Sequence, residues 1–158
     1  MLAAAVVIVA SLAGWWLGAK SPTSSGSYQV VSVLDGDTIV VRGPDGTETV
    51  RLLGVDTPET HHPTEPVGCY GPEAARYTHE RLAGETVDLV GDIESHDQYG
   101  RRLAYVILAG ERFNDKLLRQ GYATLLVIEP NHAHARAMLR AELDAQRARR
   151  GLWGACEL

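Results

Sequence analysis

YQVVSVLDGDTIVVRGPDGTETVRLLGVDTPET, residues 28–60, decides how this chain is read. Two runs rich in β-branched residues, 28–43 and 47–57, flank the turn signal Pro44-Asp45-Gly46 and predict a β-hairpin. Both runs carry charge where a core strand gains nothing from it. Asp35-Gly36-Asp37-Thr38 interrupts the first, and Arg51, Asp56 and Glu59 punctuate the second. If the first strand runs straight through, Asp35 and Asp37 share one face. Asp-Gly is equally the residue pair of a tight hairpin turn. In the second run, strict alternation puts Arg51 on the face of Leu53 and Val55, and Asp56 on the other. Both can address one site only if the chain bends between them, and Gly54 is the place for a bend.

Outward from that stretch, residues 60–71 hold prolines and glycines without periodicity and read as a loop, with His61 and His62 as loop histidines rather than zinc ligands. Pro72 suits a first helical turn and Gly84 the position after the last, with Ala75, Thr78 and Leu82 facing inward. Strand patterns recur at 86–92, 101–113 and 123–129. Asn114 is placed as the cap of a short helix ended by Gly121, and Asn131 as the cap of a longer one reaching Arg150. Met138, Leu139 and Leu143 form the inward stripe of that last helix. The fold class is α+β, and a small five-stranded Greek-key barrel of the OB type with about three helices satisfies the pattern.

The 158 residues suffice for one domain with its own core. Residues 2–19 carry no charge and end at Lys20, a run long enough to span a bilayer. With no basic start, the run reads as a membrane anchor in preference to a cleaved signal peptide. The expected organisation is an anchor or signal over 1–19, a flexible linker over 20–27 and a functional domain over 28–158. Either form of export places that domain outside the cytosol, membrane-anchored or secreted. There, Cys69 and Cys156 are expected to pair as a disulfide. The net charge of −5 at first argues against a polyanion partner, but net charge governs steering and solubility while binding depends on local charge, and counterion release needs a basic stripe. The only basic run, Arg136, Arg140, Arg147, Arg149 and Arg150, reads as a solvated helix face.

The charges out of place have a chemistry in common. Asp37 and Asp56, brought together by neighbouring strands, make a hard oxygen site suited to Ca²⁺. Arg51 and Arg101 can grip the oxygens of a phosphodiester as charge builds on them. A carboxylate such as Glu59, set against a water, can accept its proton.

DGDT at 35–38, RLLGVDTPET at 51–60, YGPEA at 70–74, DQYGRRLAY at 97–105 and LLRQGYA at 117–123 resemble, in order and spacing, the thermonuclease (staphylococcal-nuclease-like) family. The similarity covers about residues 28–153. It implies Ca²⁺-dependent endonucleolytic hydrolysis of DNA and RNA to 3′-phosphate products. By motif, Asp37 and Asp56 would bind calcium through carboxylates and Thr57 through its carbonyl, with Asp35 a nearby supporting acid. Arg51 and Arg101 would hold the scissile phosphate, Glu59 would orient or deprotonate the water, and Tyr99 would lie beside the nucleotide. The partner is then a nucleic acid, with the membrane engaged through residues 1–19 if that segment is not cleaved, and a monomer suffices. Two departures bear on substrate grip: Gln98 stands where the family has a lysine, and LLVIEPN at 125–131 lacks the family's base-stacking tyrosines. A non-catalytic nucleic-acid- or peptide-binding module of the same fold is the alternative, and a calcium-stabilised surface domain explains the acids but not the arginines.

Overall fold

The computed structural model describes residues 24–60 and 66–157. The expected anchor or signal and the pair His61-His62 lie outside the described residues. Three strands in succession form a meander: β1 (Ser24–Asp35), β2 (Thr38–Gly43) and β3 (Gly46–Leu52). The alternative reading of DGDT is therefore the one realised. Gly36 and Asp37 form the β1–β2 turn, with Asp35 opposite Thr38, so no continuous strand runs through them. Strand β1 also starts earlier than the sequence suggests, because Ser24 and Ser25 pair with Val90 and Leu89. Part of the stretch assigned to a linker is thus strand.

After Leu52 the chain bends. Gly54 adopts φ +74, a conformation that suits glycine, and a three-residue strand β4 (Gly54–Asp56) leaves in a new direction to pair with β8 (Thr124–Leu126). The bend expected at Gly54 is present. Helix α1 (Gly71–Leu82) leads to β5 (Thr86–Val90), β6 (Arg102–Leu108) and the short β7 (Glu111–Arg112). Then come α2 (Phe113–Gln120), β8, α3 (Ala135–Arg147) and the single turn α4 (Leu152–Ala155).

The strands run in the order β3-β2-β1-β5-β6, and β3 pairs in parallel with β6 to close a five-stranded barrel. Closure removes the sheet edges, and the alternate residues Val30, Ile39, Val41, Val50, Leu52, Leu89, Ala104 and Val106 fill the interior. Each such Val, Ile or Leu contributes about 1.5–3 kcal/mol over its exposed form, so the barrel carries the stability that the charged site does not.

The helices depart from expectation in detail. Helix α1 buries Gly71, Ala74, Thr78 and Leu82, so its inward stripe passes through Ala74 rather than Ala75. Asn114 is no cap. It is fully buried within α2, where its Oδ1 accepts from Val106 N–H (2.9 Å) and its Nδ2 donates to Leu53 C=O (2.8 Å). Those two backbone groups lie where the bend and the α2–β6 packing leave no strand partner, and a side-chain amide satisfies both. Asn131 likewise exchanges two hydrogen bonds with the Glu94 backbone instead of capping a helix. On α3, Met138 faces the core with Ala141 and Ala145, while Leu139 is exposed. The α3 arginines are exposed, as a solvated face requires.

Candidate active site

Two strand registers build the site. Thr38 pairs with Arg51, which sets the Asp37 turn beside the arginine. Across the closing seam Val50 pairs with Arg102 and Arg51 with Leu103, which brings Arg101 to the same end of the barrel. The result is a cavity of about 430 Å³ lined by Asp35, Asp37, Arg51, Asp56, Glu59 and Arg101, with Thr38 and Thr57 among its walls. All the charged residues singled out in the opening stretch therefore converge, together with Arg101.

Each side chain is held by its neighbours. Asp37 is buried; its Oδ1 accepts from Thr38 Oγ1 (2.9 Å) and its Oδ2 from the Thr57 N–H (3.0 Å). Gly36 is required by close approach, since a Cβ there would meet Thr57 Cγ2 and Oγ1 at 2.8 Å. Thr78 of α1 donates to the Gly36 carbonyl at 2.6 Å and ties the turn to the helix. Asp35 receives the Gly36 N–H (2.8 Å) and the Thr60 hydroxyl (3.0 Å). Burial raises Asp35 above the ordinary carboxylate range, and a hydrogen bond shared with Glu59 raises it further. Partial burial also raises Asp56, against the opposing pull of Arg51, with Asp37 and Glu59 adding like charge.

Arg51 spans the bend. Its Nη1 donates to the carbonyls of Leu52 (2.8 Å) and Val55 (2.6 Å), and its Nη2 lies 3.2 Å from Asp37 Oδ2 and 2.9 Å from Asp56 Oδ1. A guanidinium has five N–H donors in a fixed fork, so the Nη groups are committed and only Nε is left. Arg101 is arranged differently. Asp97 accepts its Nε–H at 2.7 Å and its backbone N–H at 2.9 Å, while its Nη groups have no hydrogen-bond partner among the described residues. Partial burial would raise Asp97, but these bonds outweigh it and hold the carboxyl below its usual range. The sequence reading missed Asp97, although an Asp opening a D-Q-Y-G turn is a detectable signal: it also accepts from the Tyr99 N–H (3.0 Å).

Beyond the arginines a second cleft, about 460 Å³, opens between the loop 94–101 and the segment 126–131. Tyr99 stands at its mouth, three-quarters exposed, with the Arg101 guanidinium 5.5 Å from its ring centre. Leu126 and Ile128 supply an aliphatic wall, Gln98 a neutral amide, and Glu94 and Asp97 two acids; no lysine lines it.

The donor set decides whether a divalent ion fits. Among the described residues no group of three or more His, Cys, Asp or Glu side chains gathers as a metal cage. What the site offers is two carboxylates joined by one guanidinium nitrogen, beside a Thr57 peptide bonded to Asp37. Among the described residues the Thr57 hydroxyl is buried there without a hydrogen-bond partner. Hard oxygen donors of this kind fit a hard divalent cation as an incomplete shell that water and substrate oxygens would finish. Cys69 and Cys156 are joined as a disulfide, away from the site's charged wall.

The profile of the staphylococcal nuclease homologue family matches residues 49–155. The thermonuclease of Staphylococcus hyicus is 40% identical over 127 residues, covering 80% of this chain and 75% of the relative. That of Staphylococcus intermedius is 42% identical over 127 residues, covering 80% and 76%. The SPbeta prophage-derived endonuclease YokF of Bacillus subtilis (strain 168) is 35% identical over 122 residues, or 76% of this chain and 41% of that protein.

Proposed function

Because this chain belongs to the thermonuclease family and is a nuclease of that kind, we propose that it is an exported, calcium-dependent endonuclease that cuts DNA or RNA to 3′-phosphate products. The observation that carries the proposal is a single guanidinium, Arg51, touching both Asp37 and Asp56 in a cavity that Arg101 and Glu59 also line. Export is supported by the apolar run 2–19 and by a disulfide, which persists in oxidising compartments.

Hydrolysis needs three services from the protein. Arg101 presents to the phosphate its Nη groups, which have no partner among the described residues, and Arg51 joins it by releasing one of its acids, since bidentate grip takes two N–H groups. As water adds to phosphorus, negative charge grows on the non-bridging oxygens, and both guanidinium groups stabilise it more strongly than in the ground state. Glu59 accepts the proton of the attacking water. Asp35 shares a hydrogen bond with Glu59 and helps to orient it toward that water. Asp37, Asp56 and the Thr57 carbonyl would hold the calcium ion, which when bound supplies further charge neutralisation at the phosphate. The neighbouring cleft takes a nucleoside against its aliphatic wall.

The test is hydrolysis of single- and double-stranded DNA and of RNA by the chain from Ser24 onward, with calcium and with chelator. Cleavage that requires the cation and leaves 3′-phosphate ends supports the proposal. Tight binding without hydrolysis in either condition would turn the assignment to a binding module, and 5′-phosphate products would overturn the proposed polarity.

A further inference from the structure

The exit from β4 is held from two sides. In front, Asp35 takes the Thr60 hydroxyl and shares a hydrogen bond with Glu59. Behind, the Gly68 N–H donates to the Glu59 carbonyl at 2.8 Å, and Gly71 N–H returns to the Gly68 carbonyl at 2.9 Å. This rear support is a backbone-to-backbone contact. A Cβ on Gly68 would lie 2.8 Å from Pro58 Cβ and 3.1 Å from Glu59 N, and one on Gly71 would lie 2.8 Å from the Pro58 carbonyl oxygen. Only glycine lets the two stretches approach so closely.

Cys69 sits between those two glycines. Its neighbour Tyr70 has φ +70, a left-handed conformation that a tyrosine holds only under tertiary constraint. The constraint comes from one corner of the fold. The Tyr70 ring stacks on Tyr122 at 5.6 Å, and Cys69 is bonded to Cys156, which follows α4. Helix α4 is seated by the buried Leu152, whose N–H donates to the Gly121 carbonyl at 2.9 Å, one residue before Tyr122. Helix α1 starts at Gly71 with Tyr70 as its N-cap, so Gly68 and Cys69 lie outside the helix.

We propose that Cys69 and Cys156 are positioning residues for Glu59, their disulfide clamping the Gly68–Gly71 stretch on which the Glu59 backbone rests. The bond thereby acts on the site from outside the cavity, through Gly68. Its kinetic consequence rests on the role given to Glu59 above; its structural consequence does not.

The experiment compares the wild-type chain with Cys69→Ser/Cys156→Ser, and with folded wild type reduced by a phosphine and capped with iodoacetamide. Backbone amide exchange is read at Gly68 and Thr60, with Leu89 and Val106 as barrel references. Loss of the bond is expected to speed exchange at Gly68 and Thr60 roughly tenfold or more while the references hold. At a temperature where every form is folded, kcat should fall roughly tenfold or more and KM stay within about twofold. The barrel-core variant Leu89→Ala, destabilised without touching this corner, should keep kcat within about twofold. Unchanged exchange at Gly68, an equal rise at the barrel amides, or a kcat loss shared by Leu89→Ala would each overturn the clamp. If the oxidised chain fails to hydrolyse nucleic acid at all, the nuclease assignment falls, and the exchange measurement still decides the clamp.

Discussion

Gly36→Ala tests the construction of the site without touching any of its charges. Gly36 does not adopt a positive φ, so alanine suits the backbone, and the whole effect is steric. The new Cβ would lie 2.8 Å from Thr57 Cγ2 and Oγ1 and 2.9 Å from Thr57 Cβ, against 3.4 Å or more for ordinary contact. Thr57 is buried and β-branched, so it has little rotameric freedom with which to yield. The β1–β2 turn and the end of β4 must then part by roughly half an ångström, an overpacking that costs about 1–3 kcal/mol. That motion stretches the Thr57 N–H···Asp37 bond, worth about 1.5–3 kcal/mol if lost because its acceptor is ionised. The stiffer unfolded chain returns about 0.4–1 kcal/mol. A net loss of about 1.5–5.5 kcal/mol spans these three contributions if the bond is lost. Urea unfolding in chelator would show it as a lower midpoint with an unchanged slope. Calcium should also raise the melting temperature less than in wild type, since Asp37 and Thr57 no longer keep their spacing. In a double-mutant cycle with Thr57→Gly, the wall is gone and the two costs should couple by about 1 kcal/mol or more. An additive cycle, or a loss for Gly36→Ala below about 0.5 kcal/mol, would refute the close-approach explanation of this glycine.

Three further outcomes are expected. Arg51→Ala and Arg101→Ala should each lower the rate at saturating substrate by roughly 10²–10³ or more with the fold kept, and Asp97→Asn should reproduce part of the Arg101 effect; a change confined to KM would contradict their roles. In chelator, the raised Asp35 and Asp56 contribute stability that is present below the unfolded carboxyl pKa, about 4, and is lost as pH rises through their folded values. The depressed Asp97 acts oppositely, contributing above that pKa and losing its contribution as pH falls through its folded value. Melting temperature should therefore decline from mildly acidic pH toward neutrality, and Asp56→Asn should flatten the decline; an identical profile in that variant would count against the assignment. Asn114→Ala strands the Val106 N–H and the Leu53 carbonyl inside the protein, so urea unfolding should show a loss of about 3 kcal/mol or more, and a loss under about 1 kcal/mol would mean that other groups satisfy them.

Much of this molecule follows from the chain itself. Alternating β-branched runs broken by turn residues dictate strands, and apolar residues at helical spacing dictate the helices, because those patterns depend on neighbours within a few positions. The acids and arginines could be picked out for the same reason: Asp35, Asp37, Arg51 and Asp56 stand where a strand gains nothing from charge, and Gly54 sits where a bend must come. Local pattern does not contain register. Whether Asp-Gly-Asp-Thr would continue a strand or turn was decided by β1 pairing with β2, which needs the reversal at Gly36 and Asp37. The meeting of Arg51 with Arg101 depends on the parallel β3–β6 seam that closes the barrel, a contact between strands about fifty residues apart in sequence. Asn114 and Asn131 read as helix caps because Asn favours caps, yet burial of unpaired backbone groups is costlier than a missing cap, and both amides went to the interior. The support behind Glu59 was equally out of reach, since it joins Gly68 to Glu59 through a corner made by Tyr122 and Cys156. Residue type and spacing set which groups are present; only packing in three dimensions set which of them touch.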